Sequence, residues 1–519
     1  MTGLLVYGSL GSCMDALAVE KPDNDWELTV EKKQKLAKMQ NENDYLAIVK
    51  AYADFMIAYG TDRYGSRHTP LFATVINRFT GEAFGGRRPS IQTYPYNEYC
   101  AVHKIRRQDR SRLTGDPLCN RKLYNILYEL TETTGSPEYV EVADNSIDWF
   151  LENAQNPKTG FYPWGTHMGW HLRQDKPHPI GGYGGHEYHY VWPKWEGHPA
   201  ALKRFAYGLW NHQIADQETG NFSRHARFAK HGPEKDMDFP RVGGTMIDIW
   251  ARQYAASDGR DAEMAKAINT LLDRYEELRH PETKLLPMCS KRTDRATLMM
   301  GLAGAIYIDD AADRVEPYNP NLASKMRKFG KREDQGYLAL DQDVNGRGLI
   351  TICEIDTGEP WKKSNGEYDK GTFRYPWFVK RENAMVANLL YERYRRTENP
   401  SHKKAYLQLI LETANQYLSM NPDVDYPVYA RTMAVVINLL LNTYEMTGDL
   451  VYLHRADHFG RVAVDLLFDS TSPLPAINSV DDWYENSNNI YGCTMVVEAL
   501  VKLHSALDRV SQEDSAVVE

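Results

Sequence analysis

The chain has 519 residues, 42% of them hydrophobic and 25% charged, which is enough apolar side chain for a large core and excludes a disordered chain. Lys and Arg number 61 against 70 Asp and Glu, a formal charge of -9, which excludes a general nucleic-acid binder held by phosphate contacts; a polyanion would have to meet a local basic site. No run of about 18 uninterrupted apolar residues occurs, so no membrane-spanning helix is expected. None of the six cysteines, at positions 13, 100, 119, 289, 353 and 493, belongs to a CxxC pair, so they read as ordinary thiols rather than a zinc knuckle or a disulfide framework.

In chain order, Met1 to Ala18 holds no Lys or Arg, includes the mildly apolar stretch Leu4 to Ser12 and ends in Ala-Leu-Ala, the outline of a degenerate export signal. A periplasmic or secreted location is the expectation this supports, with a cytoplasmic one left open. Residues 1–30 read as a leading segment, 31–508 as one folded domain and 509–519 as a tail. Basic residues cluster at Arg87 and Arg88, along Lys104 to Arg112, and at Lys291, Arg292 and Arg295, although charge runs are ordinarily solvated faces.

A recurring unit organises the chain: an amphipathic helix, a short turn ending in Gly or Asn, an aromatic residue, and a second helix with Ala at its packing positions. It runs from Leu123 to Glu152, Met246 to Arg279, Asn388 to Leu418 and Val435 to Leu467. Each unit is a helical hairpin that cannot bury its apolar stripe alone. Set side by side about an axis, such hairpins close into two concentric rings of helices. The predicted fold is therefore all-α, an α/α toroid with long loops and short strands at one rim; an open solenoid of the same hairpins is the alternative.

A second recurrence follows the hairpins, a Thr-Gly or Thr-Lys turn at Thr80, Thr159, Thr219 and Thr283. Equivalent loops of a toroid emerge on one rim, so the residues after these turns are expected to converge. The stretch from Trp164 to Arg241 is crowded with Gly, Pro, Trp and Tyr and holds more than half of the sixteen histidines. Rings beside glycine suit a cleft where aromatic faces meet sugars. Trp164, Trp170, Trp192 and Trp195 read equally as sugar platforms or as core.

Three elements carry the chemistry: WGTHMGW with His167, GGHEYHY with Glu187, and NFSRH with Arg224 and His225. Two imidazoles and a carboxylate from separate loops suit a divalent transition metal, manganese, nickel, cobalt or zinc, in preference to the all-oxygen cage of calcium. His186, Glu187 and His189 do not form a zincin helix, which needs its histidines four apart.

The order and spacing of these residues resemble the active site of polysaccharide lyase family 2, the pectate lyases. The resemblance implies an α/α barrel, His167, Glu187 and His225 as metal ligands, Arg224 as base, and β-elimination from an acidic, uronate-containing polysaccharide. DRYGSRHTPLF at Asp62 to Phe72 follows an N-terminal helix and resembles the substrate-facing start of such toroids, making Arg63, Arg67 and His68 candidate carboxylate-binding residues. His189, Tyr190, Trp164, Lys291 and Arg292 are further substrate-binding candidates. The C-terminal third does not align with the family, so glucuronan, ulvan or alginate are alternative polymers.

Arginine is a difficult base because its guanidinium is ordinarily protonated; Tyr188, His189 and Tyr190 are the fallback bases, with Arg224 then clamping a carboxylate. A glycoside hydrolase pairing Glu187 with Asp248 or Asp481 is the main rival. A sugar epimerase or isomerase with a histidine base and a non-catalytic carbohydrate-binding protein are the others. A polar aromatic loop, Asp481 to Asn489, precedes the last helix and is a candidate lid.

Overall fold

The computed structural model describes residues 30–83, 113–165, 168–179, 185–186, 195, 197–223, 226–229, 238–366, 383–425, 427–480, 484–485 and 492–518. Among them are fourteen α-helices: α1 (Val30–Glu42), α2 (Tyr45–Tyr59), α3 (Pro117–Thr134), α4 (Glu138–Asn153), α5 (Pro199–Gly208), α6 (Pro240–Ala256), α7 (Ala262–Leu278), α8 (Leu298–Val315), α9 (Pro320–Leu338), α10 (Asn383–Arg396), α11 (Pro400–Ser419), α12 (Ala430–Thr447), α13 (Leu450–Leu467) and α14 (Cys493–Val518). The expected tail 509–519 continues α14 as helix up to Val518.

Local chemistry sets the helix ends. Asp116, Asp261, Asn319, Asn399 and Asp449 accept backbone N–H bonds in the first turns of α3, α7, α9, α11 and α13. Proline opens α3, α5, α6, α9 and α11, where its missing N–H costs nothing. Gly135 and Gly448 close α3 and α12 in the left-handed region, with φ of 73° and 69°. The four hairpins read from sequence are all present, and α8/α9 adds a fifth.

The outer ring is α2, α4, α5, α7, α9, α11 and α13, and each neighbouring pair is tied by a side chain. Tyr139 on α4 donates to Asp54 on α2, Tyr207 on α5 to Asp261 at the start of α7, Tyr406 on α11 to Asp334 on α9, and Tyr452 on α13 to Asn415 on α11. His198 at the head of α5 meets Asp148 on α4 at 3.0 Å, and Lys325 on α9 meets Asp273 on α7 at 2.7 Å. Tyr45 on α2 donates to Asp457 on α13 at 2.8 Å and completes the circle. The aromatic residue of the sequence repeat is thus the outer belt's hydrogen-bond donor, its phenol shifted to higher pKa by burial and the acceptor carboxylate.

The inner ring runs α6, α8, α10, α12, α14, α3, each packed against the next. Its helices are apolar on most sides; α6 buries nearly every residue from Val242 to Tyr254. Gly244 on α6 faces Gly304 on α8 so closely that a Cβ would lie 2.7 Å from the Gly304 Cα. Ionic ties add to the apolar contact: Arg314 on α8 reaches Asp248 on α6 at 2.7 Å, and Arg393 on α10 reaches Asp309 on α8 at 2.6 Å. Inside α5, between α3 and α6, the wall is built from Phe161, Tyr162, Trp164 and Trp195, stacked and edge-on around Phe205.

Eleven short strands are described, all in antiparallel pairings: β1 (Val75–Ile76) with β11 (Tyr484–Glu485), β2 (Thr114–Gly115) with β3 (Met168–His171), β3 with β4 (Lys176–Pro179), β5 (Gly185–His186) with β8 (Ala226–Arg227), β6 (Ile214–Asp216) with β7 (Asn221–Phe222), and β9 (Arg295–Thr297) with β10 (Ile352–Glu354). The closed circle replaces the alternative of an open solenoid. The ring closes where Glu498 on α14, 2% exposed, meets Lys122 at 2.6 Å and accepts from Asn125 at 2.9 Å, both on α3.

Burial pushes the Glu498 carboxyl up, but Lys122, Lys502 and Asn125 more than offset it and hold the group down at about 2, against an ordinary 4.5. Its stabilising contribution is therefore present above about pH 4.5 and is lost as pH falls toward 2. Glu498→Ala leaves Lys122 without its buried partner and is expected to cost ~3–5 kcal/mol in urea unfolding at neutral pH. The deficit against wild type should shrink as the pH is lowered; a deficit below ~1 kcal/mol at neutral pH would contradict this account.

Candidate active site

The Thr turns share one geometry. In each, a residue four before the Gly or Lys receives that residue's N–H on its carbonyl: Gly81 to Asn77, Gly160 to Asn156, Gly220 to Asp216, Lys284 to His280. The side chains of Asn77, Asn156 and Asp216 also accept the two intervening N–H groups. Gly160, at φ 74°, has no room for a side chain, since a Cβ would lie 2.1 Å from the Arg204 carbonyl oxygen. A further copy occurs at Thr357-Gly358, where Gly358 bonds to Glu354; its Thr-Gly pair was the signal in the sequence. The turns at Thr159, Thr219 and Thr283 follow the C-terminal ends of outer helices and so lie with the N-terminal ends of the inner ones. The threonines then reach across to the next repeat: Thr159 Oγ1 donates to the Phe228 carbonyl at 2.6 Å, and Thr283 Oγ1 to that of Ile355 at 2.7 Å.

His167, Glu187, Arg224 and His225 lie outside the described residues, as do Tyr188, His189, Tyr190, Trp192 and Asp481. Their described neighbours are pinned to this rim. Gly165 donates to the Asp116 carboxylate that caps α3, at 3.3 Å, and Met168 begins β3. The Ser223 carbonyl accepts from the buried Gln213 side chain at 2.7 Å. In the β5–β8 ladder Gly185 opposes Arg227 and His186 opposes Ala226. The chain therefore leaves β5 toward Glu187 at the same end of the ladder at which it enters β8 from His225. Among the described residues no group of three or more His, Cys, Asp or Glu side chains could hold a metal.

The other candidates separate into buried and exposed. Trp164, 1% exposed, stacks against Phe150 and Tyr162, and Trp195, 0% exposed, stacks against Phe205. Both are core: the aromatic wall that fills the space inside α5 leaves Trp164 no open ring face for a sugar, which corrects its candidacy as a substrate-binding residue. Asp248, the hydrolase candidate, is buried and bonded to Arg252 at 2.8 Å and Arg314 at 2.7 Å, a structural ion pair rather than an acid facing a cleft. Arg63 is half-buried and donates to the Gly81 carbonyl, whereas Arg67 and His68 are exposed, Arg67 lying over the Trp170 ring at 5.9 Å. Lys291 and Arg292 are exposed on the loop before β9. The structure thus groups Arg67 and His68 beside β3, and Lys291 and Arg292 between the heads of α6 and α8.

Two features of the rim escaped sequence reasoning. The Asp62 loop docks on the β3–β4 turn, where Asp175 accepts both the backbone and hydroxyl bonds of Ser66, and its carboxyl falls below the ordinary range because these bonds and Arg67 outweigh burial. On the same hairpin His171 and His178 meet edge to face, ring centroids 4.9 Å apart, and burial followed by the neighbouring His178 lowers His171 to about 4. No local signal distinguished these two histidines from the rest of the cluster.

A family model described as periplasmic pectate lyase matches residues 118–289, about a third of the chain, from the first turns of α3 to the loop before β9. No curated protein matches the sequence. Among solved structures the chain is similar to a D-mannose isomerase, with 10% identity over 89% of this chain and 98% of that one at a TM-score of 0.44. It is similar also to the cellobiose 2-epimerase from Bacillus thermoamylovorans B4167, with 10% identity over 73% and 99% at a TM-score of 0.43. A third is the α-1,6-mannanase GH76A from Salegentibacter sp. HEL1_6, with 8% identity over 88% and 99% at 0.42.

Removing the rim tether by Thr159→Val leaves the Phe228 carbonyl without its buried donor and is expected to destabilise the protein by ~1–3 kcal/mol, read by urea unfolding. Proton NMR of the imidazole C–H signals should find His171 titrating near 4 and uncharged at neutral pH; an ordinary midpoint would contradict its burial beside His178.

Proposed function

We propose that the chain is a carbohydrate-active enzyme that cleaves a uronate-containing polysaccharide, of the pectate or polygalacturonate kind, by β-elimination. The observation that carries the reading is the β5–β8 ladder: within the stretch matched by the pectate lyase model, the strand ends from which Glu187 and the Arg224-His225 pair continue are hydrogen-bonded neighbours. That ladder, the Gly165 tether at the head of α3 and the Thr159 tether at Phe228 belong to one rim.

His167, Glu187 and His225 would hold a divalent transition metal, a donor set of two imidazoles and one carboxylate that fits manganese, nickel, cobalt or zinc. When bound, such an ion supplies positive charge against the C6 carboxylate of the sugar, making the adjacent C5 proton more acidic. Arg224 takes that proton at a guanidine nitrogen, a role that requires its neutral form. Should Arg224 remain a cation, Tyr188, His189 or Tyr190 accepts the proton and Arg224 grips the carboxylate in a bidentate fork. As the C5–H bond breaks, its electron pair forms the C4=C5 double bond, and the C4–O bond breaks with its pair going to the leaving oxygen, which takes a proton from solvent to become a sugar hydroxyl. Arg63, Arg67 and His68 lie on the α3 side of this rim, where they would meet carboxylates of neighbouring units. The burial and double ion pairing of Asp248 weaken the rival hydrolase. A periplasmic or secreted location accords with the matched family's description.

Incubation with polygalacturonate, glucuronan, alginate and ulvan, each with and without manganese, tests the reading. The expected product carries a conjugated C4=C5 double bond seen by its ultraviolet absorbance, and chelation abolishes its formation. Arg224→Ala and His225→Ala should each lower kcat by ~10²–10⁴-fold. New reducing ends without the unsaturated chromophore would establish hydrolysis and sink the proposal.

A further inference from the structure

The Thr357 turn runs Thr-Gly-Glu-Pro-Trp, as the Thr159 turn runs Thr-Gly-Phe-Tyr-Pro-Trp, but the two tryptophans differ in fate. Trp164 is buried under Phe205, whereas Trp361 is only half-buried at the rim. The Arg295 guanidinium lies 3.8 Å from the centroid of the Trp361 ring and is itself gripped by Asp294 through two bonds of 3.1 and 2.9 Å. Opposite Arg295, Glu354 holds the β9–β10 ladder in register, and the Trp361 backbone N–H donates to the Ile352 carbonyl at 3.0 Å. The main chain at Trp361 is therefore tied to β10, and its indole packs against Arg295 at the surface.

Cations stand on the adjoining loop. Met288 donates to the Arg295 carbonyl and Arg292 to that of Cys289, closing a tight hairpin that carries exposed Lys291 and Arg292. Ser290 of that hairpin donates to the buried Asp238 carboxylate at 2.9 Å, fixing it to the head of α6. Lys362 and Lys363, directly after Trp361, are exposed as well.

We propose that Trp361, with Arg295 stacked on it and Lys291 and Arg292 on the hairpin that leads into β9, is a binding subsite for one uronate unit of an acidic oligosaccharide. It lies just after β10, whose partner strand β9 leads into α8. This rests on the reading of the chain as a uronate lyase and adds to it a second point of substrate contact. An indole face packs on the C–H face of a pyranose, and ammonium and guanidinium groups take its carboxylate. Because Arg295 already packs on the ring, part of the side-chain freedom is spent before binding. A substrate that fills this subsite as well as the reacting one presents more than one unit, so long chains bind better than short ones.

The test compares wild type, Trp361→Ala, Trp361→Phe and Lys291→Ala/Arg292→Ala on polygalacturonate and on its trimer. Binding to polygalacturonate is measured in parallel by calorimetry in chelator, without turnover. Trp361→Ala is expected to raise KM for the polymer and weaken binding about tenfold, with kcat moving far less, and Trp361→Phe to recover most of the loss. The double variant, confined to exposed side chains, should weaken polymer binding and flatten its salt dependence. The trimer should discriminate less among the variants. Normal polymer KM and binding in both Trp361→Ala and the double variant would overturn the subsite and leave the elimination reading intact. A wild-type chain that neither binds nor cleaves polygalacturonate, glucuronan, alginate or ulvan would overturn both.

Discussion

A buried carboxylate closes this molecule. Glu498 on the last helix sits against Lys122 and Asn125 on α3, so the first and last inner-ring helices in chain order are joined. Charge burial of this kind is costly unless the partners are in place, and they are in place only when every intervening hairpin has taken its position. Tyr45 to Asp457 performs the corresponding closure in the outer ring. The rim depends on both, because a toroid that does not close has no common face on which loops far apart in sequence can meet.

The two rings are not equivalent all the way round. Inside α5 the described wall is aromatic rather than helical, built from Phe161, Tyr162, Trp164 and Trp195, and the segments bearing His167, Glu187 and Arg224 leave and enter beside it. Rigid side-chain stacking there takes over the supporting role that an inner helix plays elsewhere. The Thr159 hydroxyl and the Asp116 carboxylate pin the backbone on either side of the candidate segments. A site assembled from loops gains its precision from such anchors, since loop backbone has no ladder of its own to hold it.

Most of the helical architecture was legible because it is encoded locally. Asp116 before Pro117 and Gly135 after Thr134 announce the bounds of α3, and the same pattern recurs at Asp449 and Gly448. The Thr-Gly turns were legible for the same reason, although Thr357-Gly358 went unread among neighbouring acidic residues. The role of the repeat's aromatic was not legible: Tyr139, Tyr406 and Tyr452 look like core residues until their hydroxyls are seen to reach Asp54, Asp334 and Asn415. Trp164 and Trp361 follow closely similar turns, yet only one is core, and nothing within either turn says which.

By itself the sequence determined the hairpins, their turns and the all-α class, because caps and periodicity are properties of short segments. Only the tertiary structure decided that the rings close, that Asp248 is consumed by Arg252 and Arg314, that Trp164 is core and Trp361 is at the surface, and that the ends of β5 and β8 flanking Glu187 and His225 are paired. Those outcomes turn on which distant segment covers a given side chain, and burial and pairing across a closed ring are long-range quantities that no local pattern contains.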